Sequence, residues 1–377
     1  MPNRFLKCIE RAIKSILQLP LNILLARGRP ERLPLNPAEV KSILILRPDK
    51  IGDMVVTVPL IHAVKERFPH VTLHVMASPR NVEIIRDDPH VDAIHLYIKN
   101  IWKDGQTIYR LRRKNFDIIY DPICHDSITG LLLSRIIKNN SALVASRKLN
   151  LIKFYDYAEK YEPDGRDHNI DNGLILFKAF GISPESVDPF RPVFLPLESK
   201  EKAAKFRREL PSSGKILIGI NISAGSATRT LSPQKYIAIL KMIRSRLPEA
   251  QFIIISIPVD RHTARKILTE SNIDALLIPD NLSLLDVGAI ISHLDILITP
   301  DTSLVHIARL MKIPVVAIYS GHRRNYFFWR PYRQEGGAVV AANVSNLHDV
   351  EAEQVVEAFF RLIERSEIPT KGNIKAD

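Results

Sequence analysis

Along most of this chain, short aliphatic runs alternate with longer stretches in which apolar residues recur every three or four positions. Unbroken apolar runs of four to eight residues suit strands buried on both faces, and the longer period suits helices with one apolar side. Strands are therefore expected at Ser42–Leu46, Thr72–Ala77, Ala93–Tyr97, Phe116–Tyr120 and Leu143–Ala145, and again at Ile216–Ile222, Phe252–Ile257, Ala275–Ile278, Ile296–Thr299 and Val315–Tyr319. Helices fall between them, and prolines at 184, 189, 192 and 196 mark a linker between the two series. The alternation predicts an α/β protein with two parallel sheets covered by helices and a cleft between the halves. Such sheets bind ligands beyond the carboxyl ends of their strands. The divisions read as a basic amphipathic segment over 1–35, a first domain over 36–182, a linker over 183–198, a second domain over 199–350, and a C-terminal helix and tail over 351–377.

Composition adds limits. A chain of 377 residues, 46% hydrophobic and 25% charged, can bury two ordinary cores, which excludes a fibre or a disordered tail. Cys8 and Cys124 are far apart and show no metal-ligand spacing, so no disulfide framework or zinc site is indicated and a reducing cytoplasm fits. A net charge of +12 favours polyanionic partners, but the basic residues are dispersed without a recognition motif, which argues against nucleic acid. Phe5, Ile9, Ile13, Ile16 and Leu17 share one helical face, with Arg4, Lys7, Arg11 and Lys14 supplying charge. That helix suits an anionic bilayer surface, or equally the protein's own surface. Gln18, Pro20 and Asn22 interrupt the following apolar section, which falls short of the ~20 residues needed to span a bilayer.

Three loops at strand ends carry candidate chemistry. In the first, Leu46-Arg47-Pro48-Asp49-Lys50-Ile51-Gly52-Asp53, the helical pattern that follows places Asp53 in a first turn, as a cap or as a base facing a ligand, with Gly52 leaving the backbone open to approach. Ser223 to Thr230 combines small hydroxyl residues, Gly225 and Arg229, a composition able to face a phosphate with amides and a forked cation, though a flexible surface loop looks similar. In the third, Asp301 and Thr302 are good caps, and amides there, with the Thr302 and Ser303 hydroxyls, could bind a diphosphate; His306 lies one turn inside, as a packed histidine or a contact. Arg323 and Arg324, followed by Tyr326, Phe327, Phe328 and Trp329, could touch a ligand or form an interface cluster.

From about Ser42 to Tyr332 the chain resembles glycosyltransferase family 9, the ADP-heptose:lipopolysaccharide heptosyltransferases. The resemblance is carried by ILILRPDKIGDMVVTVPLIHAVKERFP, GINISAGSATRTLSPQKY and DILITPDTSLVHIARLMKIPVVAIYSG. It implies a glycosyltransferase B fold, two Rossmann-like domains facing across a cleft, with the acceptor held by the first and the nucleotide-sugar donor by the second. It implies Asp53 as general base, with Lys50 and Gly52 beside it on the acceptor side. Arg229, with Thr228 adjacent, takes the place of the basic residue that meets the donor diphosphate. Asp301, Thr302, Ser303 and His306 fall on the segment that holds phosphates and donor sugar, and Asp260 is the candidate for the ribose. Ser303 stands where glycine is usual, Arg229 where many members have lysine and Leu231 where an aromatic is common, departures that bear on the donor sugar.

The expected reaction is therefore an inverting transfer of heptose or a related sugar from an ADP-sugar to an anionic lipopolysaccharide core acceptor, at the inner face of the cytoplasmic membrane. The chain contains no Asp-x-Asp motif, so an obligatory divalent metal is not expected, and no other cofactor is called for. Two alternatives stay open: a nucleotide-sugar epimerase on the same architecture, and a family 9 transferase with a different donor sugar.

Overall fold

The structure is a computed structural model that describes residues 33–139, 142–160, 167–210 and 216–365. The expected N-terminal amphipathic helix falls on residues outside that set.

The first lobe is a six-stranded parallel sheet of β1 (Ser42–Arg47), β2 (Thr72–Ala77), β3 (Ala93–Leu96), β4 (Ile118–Asp121), β5 (Leu143–Lys148) and β6 (Tyr157–Lys160), in the order β3-β2-β1-β4-β5-β6. The second lobe has β7 (Leu217–Asn221), β8 (Gln251–Ile255), β9 (Ala275–Leu277), β10 (Ile296–Pro300), β11 (Val315–Tyr319) and β12 (Ala338–Val340), in the order β12-β11-β10-β7-β8-β9. Read from each lobe's own first strand, the two orders are the same. In such sheets the chain turns in opposite directions on either side of the first strand, which opens a crevice there. The crevices lie between β1 and β4 and between β7 and β10, so the loops after these four strands are the ones positioned to meet a ligand.

Burial explains why the aliphatic runs became strands. In β1, Ile43 and Ile45 pack with Val58, Ile61 and Val64 of the helix Val58–Arg67, while Leu44 and Leu46 pack on the opposite face with Leu111, Leu131 and Leu133. Alternate residues thus feed two apolar layers, and no polar side chain in this run would be tolerated on either. In β7, Gly219 is required by the same crowding: a Cβ there would lie 2.4 Å from Leu294 Cδ1.

Each lobe also has a sixth strand that the apolar pattern does not reveal. Tyr157–Lys160 reads YAEK and Ala338–Val340 only AVV, edge strands too short or too polar to stand out. The proline-rich stretch contains a 3₁₀ turn at Pro184–Ser186 and then leads into the helix Leu197–Glu209, which packs on the helix Leu284–Ile291 of the second lobe. The helix Ala352–Arg365 packs on Pro233–Arg246 and β11. Beneath the cleft the lobes touch: the short helix Ile51–Val55 meets the helix Ser303–Leu310, and one apolar cluster runs from Ile43 and Val55 to Leu304, Val305 and Tyr319.

Candidate functional site

Between the lobes lies a cavity of about 1020 Å³ lined by the end of β1, by the loops after β1, β4, β7 and β10, and by the helix Arg323–Trp329. It takes Arg47, Asp49, Lys50, Gly52 and Asp53 from the loop after β1 and Pro122 to His125 from the loop after β4. The second lobe contributes Arg229, Asp301, Thr302, Ser303 and His306, with Arg324, Asn325, Phe328 and Trp329 closing one side. The volume is at the upper end for small-molecule sites, enough for a nucleotide sugar with part of an acceptor beside it.

Asp53 caps and lines the cleft at once. It is the third residue of the helix Ile51–Val55, where its Oδ2 accepts the backbone N–H of Lys50 at 3.2 Å and so satisfies a donor at the helix start. Its Oδ1 lies 3.2 Å from Arg47 Nη2, and Arg47 Nε also donates to the Asp53 carbonyl at 2.9 Å. Arg47 is buried at the end of β1 and stands 3.6 Å from Asp49 as well. Its guanidinium therefore ties two carboxylates of one loop together and fixes the direction of Asp53, whose side chain remains 19% exposed to the cleft. Burial, with Asp53 and Asp121 nearby, raises the Asp49 carboxyl above its usual range, Arg47 acting in opposition. Gly52 faces the other lobe, since a Cβ there would come 3.8 Å from the Trp329 ring, an ordinary contact.

Below the loop after β4 sits a fully buried ion pair, Asp121 with Lys148 Nζ at 2.8 Å. Tyr155 donates to the same carboxylate at 2.8 Å and the Ile123 amide at 3.0 Å. A Cβ on Gly130 would stand 2.5 Å from Asp121 Oδ2, so the helix Ile128–Ile137 approaches this carboxylate as closely as a glycine allows. Sequence reading missed this loop and Arg47. Asp121 ends an otherwise apolar strand, and that was its one local signal.

In the second lobe, Thr302 caps the helix Ser303–Leu310 with its hydroxyl on the Leu304 amide, so the helix start opens into the cavity. Asp301 accepts from Asn325 Nδ2 at 2.9 Å and lies 3.8 Å from Arg229 Nη1. Burial raises its carboxyl, opposed by the Asn325 hydrogen bond and then by the charges of Arg229 and Lys50. The Lys50 effect reaches it from the opposite lobe. His306 is buried among His168 and Trp329, its Nδ1 without a hydrogen-bond partner, and burial pushes its imidazole down to about 3. A neutral ring here adds no charge to the site.

Thr228 and Asp260 stand outside the residues that line the cavity. Thr228 is exposed on the turn Ala227–Arg229 with its hydroxyl 2.6 Å from that of Ser226, and Asp260 is half-buried where the helix Arg261–Ser271 begins. Among the described residues, the cluster of three metal-capable side chains is His62, Asp88 and His90, away from the cleft lining, with Asp88 bonded to both imidazoles at 2.7 and 2.9 Å.

Two Rossmann-like lobes of matching strand order, with loops converging on one crevice, define the glycosyltransferase B architecture. The family model of glycosyltransferase family 9 (heptosyltransferase) matches residues 106–359, and the chain belongs to that family. It is a glycosyltransferase. A curated relative, the lipopolysaccharide core heptosyltransferase OpsX of Haemophilus influenzae, is 20% identical over 77% of this chain and 82% of its own. Among solved structures, a family 9 glycosyltransferase from Veillonella parvula superposes with a TM-score of 0.71 at 16% identity, covering 88% of this chain and 99% of that one. Escherichia coli heptosyltransferase WaaC with ADP gives 0.61 at 15% identity, over 86% and 99%.

Proposed function

We propose that this enzyme transfers heptose, or a related sugar, from an ADP-sugar to a lipopolysaccharide core acceptor with inversion and without an obligatory metal. The observation that carries the reading is the meeting, in one cavity, of the Asp53 carboxylate from the first lobe with Arg229 and the helix start at Thr302 from the second. An acceptor hydroxyl beside Asp53 gives its proton to the carboxylate as its oxygen bonds to the anomeric carbon. The bond from that carbon to the diphosphate breaks on the opposite face. A single displacement inverts the centre.

Charge then gathers on the departing diphosphate. Arg229, half-exposed, and the amides at the start of Ser303–Leu310 supply fixed positive potential there, the role a metal plays elsewhere. Asp301 does not oppose this strongly, because its charge is already engaged by Asn325 and Arg229. Lys50, Arg80 and Lys99 on the first-lobe side suit an acceptor bearing carboxylates or phosphates. Thr228 and Asp260 remain candidates for donor contacts, each needing a change of position to reach a ligand in the cavity. The relatives named above support transfer over the epimerase alternative, and the heptosyltransferases among them support heptose. No helix among the described residues is long and apolar enough to cross a membrane. The lipid-linked acceptor proposed here is the reason to expect the enzyme at the cytoplasmic face of the inner membrane.

Asp53→Asn tests the mechanism. Turnover should fall about 100-fold while ADP-sugar affinity by calorimetry stays within a few fold. Full turnover would remove Asp53 from the chemistry. Activity that disappears with a chelator and returns with Mg²⁺ would overturn the metal-independent reading, and a product of retained anomeric configuration the single displacement.

A further inference from the structure

The helix Ile101–Arg113 begins directly after the cleft-lining residues Tyr97, Ile98 and Lys99, and its outer surface is unusual for a soluble protein. Ile101 is 84% exposed and Trp102 82%, with Tyr109 two turns further along also exposed. Leu132 and Ile136 are exposed on the adjoining helix Ile128–Ile137, tied to it by Arg112 Nη1, which donates to the Ile136 and Lys138 carbonyls at 2.6 and 2.7 Å. Exposing a tryptophan and an isoleucine side by side costs solubility unless something covers them.

The charge around these side chains indicates what does. Lys99, Lys103, Arg110, Arg112, Arg113 and Lys114 are all exposed. The acidic residue of this stretch, Asp104, is buried and spends both oxygens on the Ile98 and Asn100 amides, at 2.9 and 2.8 Å. A surface that presents cations and amphipathic aromatics together, and turns its one carboxylate inward, matches an anionic bilayer interface, where indole rings sit at the headgroup level and lysines and arginines meet lipid phosphates.

We infer that the face formed by Ile101, Trp102, Tyr109 and the surrounding basic residues docks on an anionic lipid surface, setting the acceptor side of the cleft against the bilayer. Its purpose rests on the lipid-linked acceptor proposed above; its evidence does not.

The chain has two tryptophans, so Trp329→Phe in the full chain leaves Trp102 as the sole reporter. With phosphatidylglycerol vesicles, Trp102 emission should shift to shorter wavelength and be quenched by brominated lipid. With phosphatidylcholine alone it should not. In the otherwise native chain, Ile101→Ser with Trp102→Ser should weaken binding to the anionic vesicles about tenfold, leaving transfer to a soluble, deacylated acceptor unchanged. The docking inference is overturned if the chain co-floats with vesicles while Trp102 stays unquenched, or if neutral and anionic vesicles quench it alike. Sedimentation in which the double variant abolishes self-association, with no lipid effect, would instead assign the face to a second copy and overturn it too. Loss of transfer on every acceptor by the native chain would refute the proposed reaction and leave the docking result standing.

Discussion

In the first lobe, the loop after β1 carries Asp49 and Asp53 and β4 ends on Asp121, and each of these carboxylates is held by a cation: Arg47 for the first two, buried Lys148 for the third. In the second lobe, the equivalent loops after β7 and β10 carry Arg229 and Asp301, separated by 3.8 Å, with the guanidinium 51% exposed. The strand order is the same in both. The difference lies in where the charge is spent. In the first lobe Arg47 and Lys148 are spent on holding these carboxylates, whereas the second keeps Arg229 and a helix start facing the cavity. One scaffold thus presents a positioned carboxylate on one side and a cation beside a helix start on the other, because the crevice at the switch point fixes loop location and leaves loop composition free.

The contrast breaks most readily at Lys148. Replacing it by methionine leaves Asp121 buried beside Tyr155 without its cation, and should destabilise the protein by about 3–5 kcal/mol in denaturant unfolding. Asp301→Asn, which alters the looser pair of the second lobe, should cost no more than about 1 kcal/mol. Equal losses would mean that the lobes hold their charges alike.

Acid offers a second test, centred on the second lobe. A histidine held neutral by burial, with its native value near 3 against 6.5 when unfolded, takes up a proton on unfolding at any pH between the two. Stability from His306 is therefore complete above pH 6.5 and falls as pH drops towards 3, by on the order of 2 kcal/mol at pH 5. His168, also pushed well below its usual value by burial, adds to the same trend. His306→Gln should flatten the decline measured by thermal unfolding between pH 7 and 5, and an unchanged slope would reject this account.

Arg229→Ala should weaken ADP-sugar binding about tenfold in calorimetry, the usual worth of a hydrogen bond to a charged group. An unchanged affinity would take it out of the diphosphate seat. The smallest effect is expected at Gly52→Ala, whose added methyl reaches the Trp329 ring at 3.8 Å without a clash. Turnover should stay within a few fold, and a large loss would indicate that a ligand, rather than Trp329, comes closest to this backbone.

Part of the candidate site was legible beforehand. Asp53, Arg229, Asp301, Thr302, Ser303 and His306 lie in the loops or first helical turns that follow aliphatic runs, and all of them line the cavity. Asp53, read as either cap or ligand-facing carboxylate, fills both positions, since one oxygen can accept an amide while the side chain still borders the cleft. Arg47 was passed over because nothing adjacent in sequence says that its side chain turns back onto Asp53. Asp121 and Lys148 lie in separate strands, and their pairing follows from the register of β4 against β5. The sixth strands escaped notice because edge strands need no apolar run.

Hydrophobic period alone determined the two α/β halves, most strand positions and the loops where chemistry could sit, since burial on both sheet faces forces a pattern that short-range reading detects. The folded arrangement decided which loops share a cavity, which cations hold the carboxylates, and that Asp260 and Thr228 stand aside from its lining. Those outcomes depend on distances between segments remote in the chain, which close packing of the lobes sets and no local pattern records.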